Sequence, residues 1–151
     1  MEDFPQILCS NIPGLSLFEF VPVDDVESVS EPNGMEVTVT LKSGKAWLKG
    51  FSSEKLSYNE EAEESDEGDS YLVKVSGFVP GDSKDLLSYF ADLKQNRFLV
   101  KVKDLNGELR LMGSIDIGAR FSYSNKKNNE NNGYSFVFSA FHPDLPPFFI
   151  A

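Results

Sequence analysis

The chain has 151 residues, 40% of them hydrophobic, with 13 phenylalanines and a net charge of −10. That length suits one domain with a real core, and the apolar content argues against disorder throughout. The acidic balance argues against nucleic-acid binding through phosphate contacts, which need clustered Lys and Arg.

The opening MEDFPQILCSN has no basic region and no apolar run long enough for a signal peptide. Cys9 is the only cysteine, so no intrachain disulfide forms, which suits a reducing compartment. Leu8-Cys9 is better read as apolar residues near the first strand than as a lipoprotein cleavage site, given Glu2 and Asp3 nearby. No stretch approaches the roughly 20 apolar residues that cross a bilayer.

Residues 15–23 alternate well enough for a strand, ended by Pro22 or by Asp24-Asp25. Residues 28–34 are turn material around Pro32-Asn33-Gly34. The cleanest period-two pattern follows. Met35, Val37, Val39 and Leu41 share one face against Glu36, Thr38 and Thr40, predicting a strand over 35–41. Lys42-Ser43-Gly44 predicts a turn into residues 45–51, giving a hairpin with Trp47 as its core anchor. A strand over 54–58 is expected to enter an acidic run, and residues 70–79 to leave it as a strand.

Glu60, Glu61, Glu63, Glu64, Asp66, Glu67 and Asp69 crowd that run, so the rest of the chain carries a net charge of only −3. Lacking large apolar residues, residues 60–69 are expected to be a flexible, solvent-facing hairpin tip or loop without a metal. Pro80-Gly81-Asp82 breaks the β pattern. One helix follows over residues 83–94, capped by Asp82 or Ser83, with Leu86, Leu87, Phe90 and Leu93 on one stripe and an end at Asn96.

Residues 97–103 and 108–114 flank Asn106-Gly107 and predict an antiparallel pair, since Asn and Gly tolerate the positive φ of hairpin turns. Further strands are expected over 119–124 and 133–141, joined by a mobile polar loop over 125–132. The apolar tail, 142–151, holds three prolines that oppose regular pairing, yet Phe148, Phe149 and Ile150 need burial. It must fold back on the domain or dock on a neighbour. The whole, residues 1–151, reads as one mainly β domain, an antiparallel β-sandwich or barrel with one flanking helix.

The strands carry little reactive chemistry. His142, the sole histidine, sits beside Pro143 and reads as a surface or turn residue rather than a base or ligand. Asp66-Glu67-Gly68-Asp69 offers oxygen ligands but lacks the spacing of a calcium loop, so a solvated charge run is the better account. No serine has a nucleophile-elbow context, and neither Gly113 nor Gly118 opens a phosphate-binding helix. Tyr71, Tyr123 and Tyr134 could form a sugar platform, though on strands they are more often ordinary sheet residues. No catalytic residue, cofactor or metal is expected.

The order RFLVKVKDLNGELRLMGS, GARFSYS, NGYSFVFSAFHP resembles small structural proteins encoded in prophages of Bacteroidetes bacteria. The stretch from Cys9 to Leu17 fits the same pattern loosely, and the resemblance runs from about Leu8 to Phe148. It implies a tail-tube or related tail protein: a β-sandwich or barrel flanked by one helix, non-enzymatic, assembling into rings. Its partners would be copies of itself and other tail proteins, without direct nucleic-acid binding or membrane contact. Its place would be the bacterial cytoplasm before assembly and then the virion or a tail-like particle. Leu145, Phe148, Phe149 and Ile150 become candidate assembly contacts. The alternative is a carbohydrate- or protein-binding β-sandwich module of the tail-tip or cell-surface type.

Overall fold

The computed structural model describes residues 3–4, 18–31, 33–53, 56–66, 68–103, 108–129, 132–143 and 146–149. Phe18–Pro22 (β1) sends Phe18 and Phe20 into one apolar cluster and Val21 into another. Pro22 ends the strand, and a 3-10 turn over Val23–Asp25 leads into Val26–Val29 (β2), which sequence periodicity had not marked.

The single strand expected over 35–41 is two: Glu36–Val37 (β3) and Val39–Leu41 (β4). The break falls at Thr38, whose N–H donates to Ser30 Oγ at 2.9 Å while its carbonyl accepts from Ser30 N–H at 2.9 Å. β4 pairs antiparallel with β2. Met35 sits in the turn closed by the Asn33 and Glu36 backbones, and so faces solvent instead of joining Val37 in the core.

Lys42–Gly44 does turn the chain, with Lys45 N–H donating to Lys42 O at 3.1 Å. The next strand, Leu48–Lys49 (β5), pairs with β1 rather than β4, so the expected hairpin does not form. Gly50 explains how close this segment comes. Its N–H donates to Phe18 O at 2.9 Å, and a Cβ there would fall 1.9 Å from Phe18 Cζ.

Ser57–Ser65 (β6) and Gly68–Pro80 (β7) form a long hairpin in register from Ser57↔Ser76 to Ser65↔Gly68. The acidic run is therefore mostly paired strand, not an unpaired loop. Val73 and Val75 of β7 are buried and fix its face; β6, opposite them, follows. Lys84–Lys94 (α1) starts where expected, Leu86 N–H donating to Ser83 Oγ at 3.1 Å, and Asn96 Nδ2 closes its end on Asp92 O at 2.9 Å. Leu86, Phe90 and Leu93 are buried at about 1.5–3 kcal/mol each, while Leu87 stays outside that stripe, exposed.

Arg97–Lys103 (β8) pairs antiparallel with Leu109–Met112 (β9), as the sequence predicts; the turn residues 104–107 lie outside the described residues. Ala119–Lys127 (β10) and Asn132–His142 (β11) extend well into the expected polar loop, pairing to Lys127↔Asn132. Asp82 anchors that end, accepting from Tyr134 OH at 2.6 Å and from Lys127 Nζ at 2.6 Å. The Tyr134 hydroxyl is pushed up to about 12, chiefly by that bond, and Asp82 is held below the usual carboxylate range, chiefly by Lys127. Phe148–Phe149 (β12) lies parallel to β3 and antiparallel to β9.

The sheet forks at β8. One edge of β8 carries β1. On the other, residues 100–103 pair with β9 and lead to β12 and β3, while residues 97–98 pair with β10 and lead to β11, β7 and β6. Being buried on both faces, β8 reads Phe98-Leu99-Val100 without a polar break. The result is a mainly β protein whose curled sheet forms a half-barrel with one helix.

Phe18, Phe20, Phe90, Phe98, Phe121, Phe136 and Phe138 fill the concave side, with Phe121 and Phe138 ring centroids 5.0 Å apart. A smaller cluster on the convex side holds Val21, Val26, Val37, Leu99, Leu111 and Phe149, with Trp47 packed against it. Trp47 is thus a half-buried flank, edge-on to Phe149 at 5.8 Å under Lys101 Nζ at 4.4 Å, and not the main core's anchor. Among the described residues, no helix is long and apolar enough to cross a membrane.

A candidate binding groove

The fork leaves a groove where its two branches part. After β9 the chain turns at Gly113, which has a φ of 95° and whose Cβ would lie 2.8 Å from Phe98 O. Residues 114–117 form a small loop, Ser114 N–H donating to Ile117 O at 2.9 Å and Ile117 N–H to Ser114 Oγ at 3.0 Å. Held this way, Ile115 and Ile117 cannot turn inward and remain 42% and 46% exposed. Met35, from the turn before β3, and Phe141, near the end of β11, stand across from them at 55% and 54% exposure. These four line a groove of about 940 Å³. Among the described residues, Leu87 is the only large exposed apolar side chain outside it. Such a concentration marks a binding surface more than scattered single residues would. Glu31 and Asp116 also line it, and among the described residues no Lys or Arg does.

His142 lies in the groove wall and is only 7% exposed, which corrects its reading as a surface or turn residue. Its Nε2 accepts the Gly113 N–H at 3.0 Å, which places the ring proton on Nδ1. Burial holds its pKa below the ordinary histidine value; Glu60 opposes that shift and Arg110 reinforces it. With the Nε2 lone pair so used, His142 ties β11 to the corner after β9. It does not stand ready as a base.

A neutral histidine buried in the fold takes up fewer protons than in the unfolded chain, so its contribution is present above about pH 6.5 and lost as pH falls below it. The thermal midpoint is expected to drop on acidification from about pH 7 to 5, and His142→Gln, whose amide oxygen can take the same N–H, is expected to flatten that drop. Equal slopes for the two proteins would remove His142 from the account.

Beside the groove, Arg110 of β9 clasps β6. Its Nη2 donates to Glu60 Oε2 at 2.7 Å and to Pro146 O at 3.0 Å, and its guanidinium lies 4.6 Å from the Phe148 ring centroid. Tyr58 OH donates to the same Glu60 oxygen at 3.2 Å. Burial raises the Tyr58 hydroxyl pKa well above its usual value, with Glu60 adding and Arg110 opposing. Glu60, expected in a solvated run, is thus folded into a contact between β9 in one branch and the terminal strand β6 of the other.

Of the expected assembly contacts, Phe149 is buried in the chain's own convex cluster and Phe148 is half-buried over Arg110; Leu145 and Ile150 lie outside the described residues. The three tyrosines form no common platform. Tyr134 is buried, Tyr123 packs 5.7 Å from Phe90, and Tyr71 lines the groove. Among the described residues, no three His, Cys, Asp or Glu side chains gather as a metal site.

The groove was not read from sequence, though one signal was there. Ile115 and Ile117 are apolar residues confined between Gly113 and Gly118, too short a span to bury them. In class, this is a half-barrel β protein with an apolar groove at its fork. No family model matches the chain, no curated protein matches it, and no solved structure matches its fold.

Proposed function

We propose that this protein is a non-enzymatic structural subunit of a phage tail or tail-like tube, working by self-assembly into rings. The observation that carries self-assembly is the open sheet. β6 runs nine residues, and among the described residues no backbone hydrogen bond reaches its outer edge. Such an edge is a template for another strand, and head-to-tail contacts between copies close into rings when the rotation allows. The RFLVKVKDLNGELRLMGS cassette supports the narrower reading as a tail component, with other tail proteins as further partners and the virion as its place.

Two like-charged β6 edges repel, so the contact pairs β6 with a different surface of the next copy. Sedimentation with electron microscopy tests this: rings or stacked rings are expected at high concentration or on a nucleating tail partner. A chain that stays monomeric under both conditions would sink the proposal. The groove favours a second reading, a carbohydrate- or protein-binding module. Saturable glycan binding that Phe141→Ser abolishes would establish it.

A further inference from the structure

We infer that the groove and the acidic arm beside it form one docking surface for an extended segment of another protein, in which a large apolar anchor is followed by Lys or Arg. The register lays the surface out. Phe141 stands opposite Leu72, and Leu72 opposite Glu61, so these three form a row on the convex side from the groove to the outer edge of β6. Glu63 lies on the same face two residues further along β6. Strand spacing puts Glu61 about 10 Å from Phe141, the reach of about three extended residues.

Charge decides what lies there. Glu61 and Glu63 are exposed, and among the described residues neither forms an ion pair. Glu31 and Asp116 add negative charge in the groove itself. Lys74 and Arg120 occupy the next row away from the groove, through Arg120↔Ser139↔Lys74, so the cationic part of the ligand lies on the groove side. A second copy presenting its own β6 arm would bring the same acids against these, and an anionic amphiphile would meet the acids in the groove. An apolar–basic segment satisfies both halves at once, and the free edge of β6 can add main-chain bonds to it.

The test is fluorescence anisotropy of the full chain with labelled peptides FLGKKK, FLGEEE, GSGKKK and FLGGGG. FLGKKK is expected to bind saturably, and each of the other three at least about tenfold more weakly. Phe141→Ser alone, and Glu61→Lys with Glu63→Lys, are each expected to cost FLGKKK at least about tenfold. The charge-reversed double variant is expected to prefer FLGEEE. All three positions are exposed, so thermal midpoints should hold. Amide shift mapping on the unaltered chain should perturb Ile115, Ile117, Phe141 and Glu61 together. Absence of saturable FLGKKK binding at about millimolar peptide overturns the inference. So does FLGGGG or FLGEEE binding equally well, which would make this an uncharged apolar pocket. Ring formation is scored separately by sedimentation, so either proposal can fail alone.

Discussion

Phe4→Ala is expected to cost about 3–5 kcal/mol, a loss comparable to emptying any core phenylalanine site. Phe4 is buried and closes one end of the aromatic core, edge-on to Phe18, Phe20, Phe121 and Phe136 and to Phe90 of α1. Two bonds hold it there: Phe4 N–H donates to Lys49 O at 3.0 Å, and Lys49 N–H donates to Asp3 Oδ1 at 2.9 Å. Helix and sheet both lean on this ring, so collapse cannot readily fill the hole. A residual cavity adds its own cost to the lost transfer energy. Urea unfolding should show a lower midpoint at an unchanged slope. Phe4→Leu should recover about half the loss, since it restores volume without the edge-on geometry. A cost below about 1 kcal/mol would mean that the segment peels away freely and that the core closes without it.

Phe4 also shows where sequence reading stops. Local signals carried much of the fold: the apolar segments flanking Asn106-Gly107 predicted residues 97–103 as a strand, period-two alternation predicted 119–124 and 133–141, and a cap at Asp82 or Ser83 with an apolar stripe predicted α1. What they could not give was long-range partnership. Nothing around Met35–Leu41 says that β3 will take a strand from the far end of the chain while β4 takes β2. The alternation there is real, but it spans two partners and breaks at Thr38. Phe4 has no periodic neighbours to announce it. The acidic run hid a strand because its register is set by Val73 and Val75 on β7, not by its own side chains. His142 looked idle for the same reason: its partner, the Gly113 N–H, lies across a corner of the sheet.

Deleting residues 146–151 is expected to destabilise the isolated domain by several kcal/mol, a large share of the roughly 5–15 kcal/mol that holds a domain folded. An apolar tail reserved for a neighbour would leave the monomer intact when removed. Here the tail is a structural strand. Phe148 N–H donates to Met35 O at 2.7 Å, and Leu111 N–H donates to Pro147 O at 3.1 Å, so β12 bridges β3 and β9. Without it, Phe149 no longer covers Val37 and Leu111, at about 1.5–3 kcal/mol for that side chain. Arg110 loses the Pro146 carbonyl and the Phe148 ring together, and the clasp on Glu60 is left with fewer restraints. The weakened clasp crosses between the two branches of the sheet, and the other losses fall in the β9–β12–β3 branch that lines the groove, so the groove should open before the aromatic core does. Two point variants separate the parts: Phe149→Ala is expected to cost about 3–5 kcal/mol and Phe148→Ser distinctly less, because that ring is only half-buried. Melting and sedimentation of all three proteins decide the matter. A truncated chain that melts with the full-length protein yet no longer assembles would return the tail to the role of an intersubunit contact.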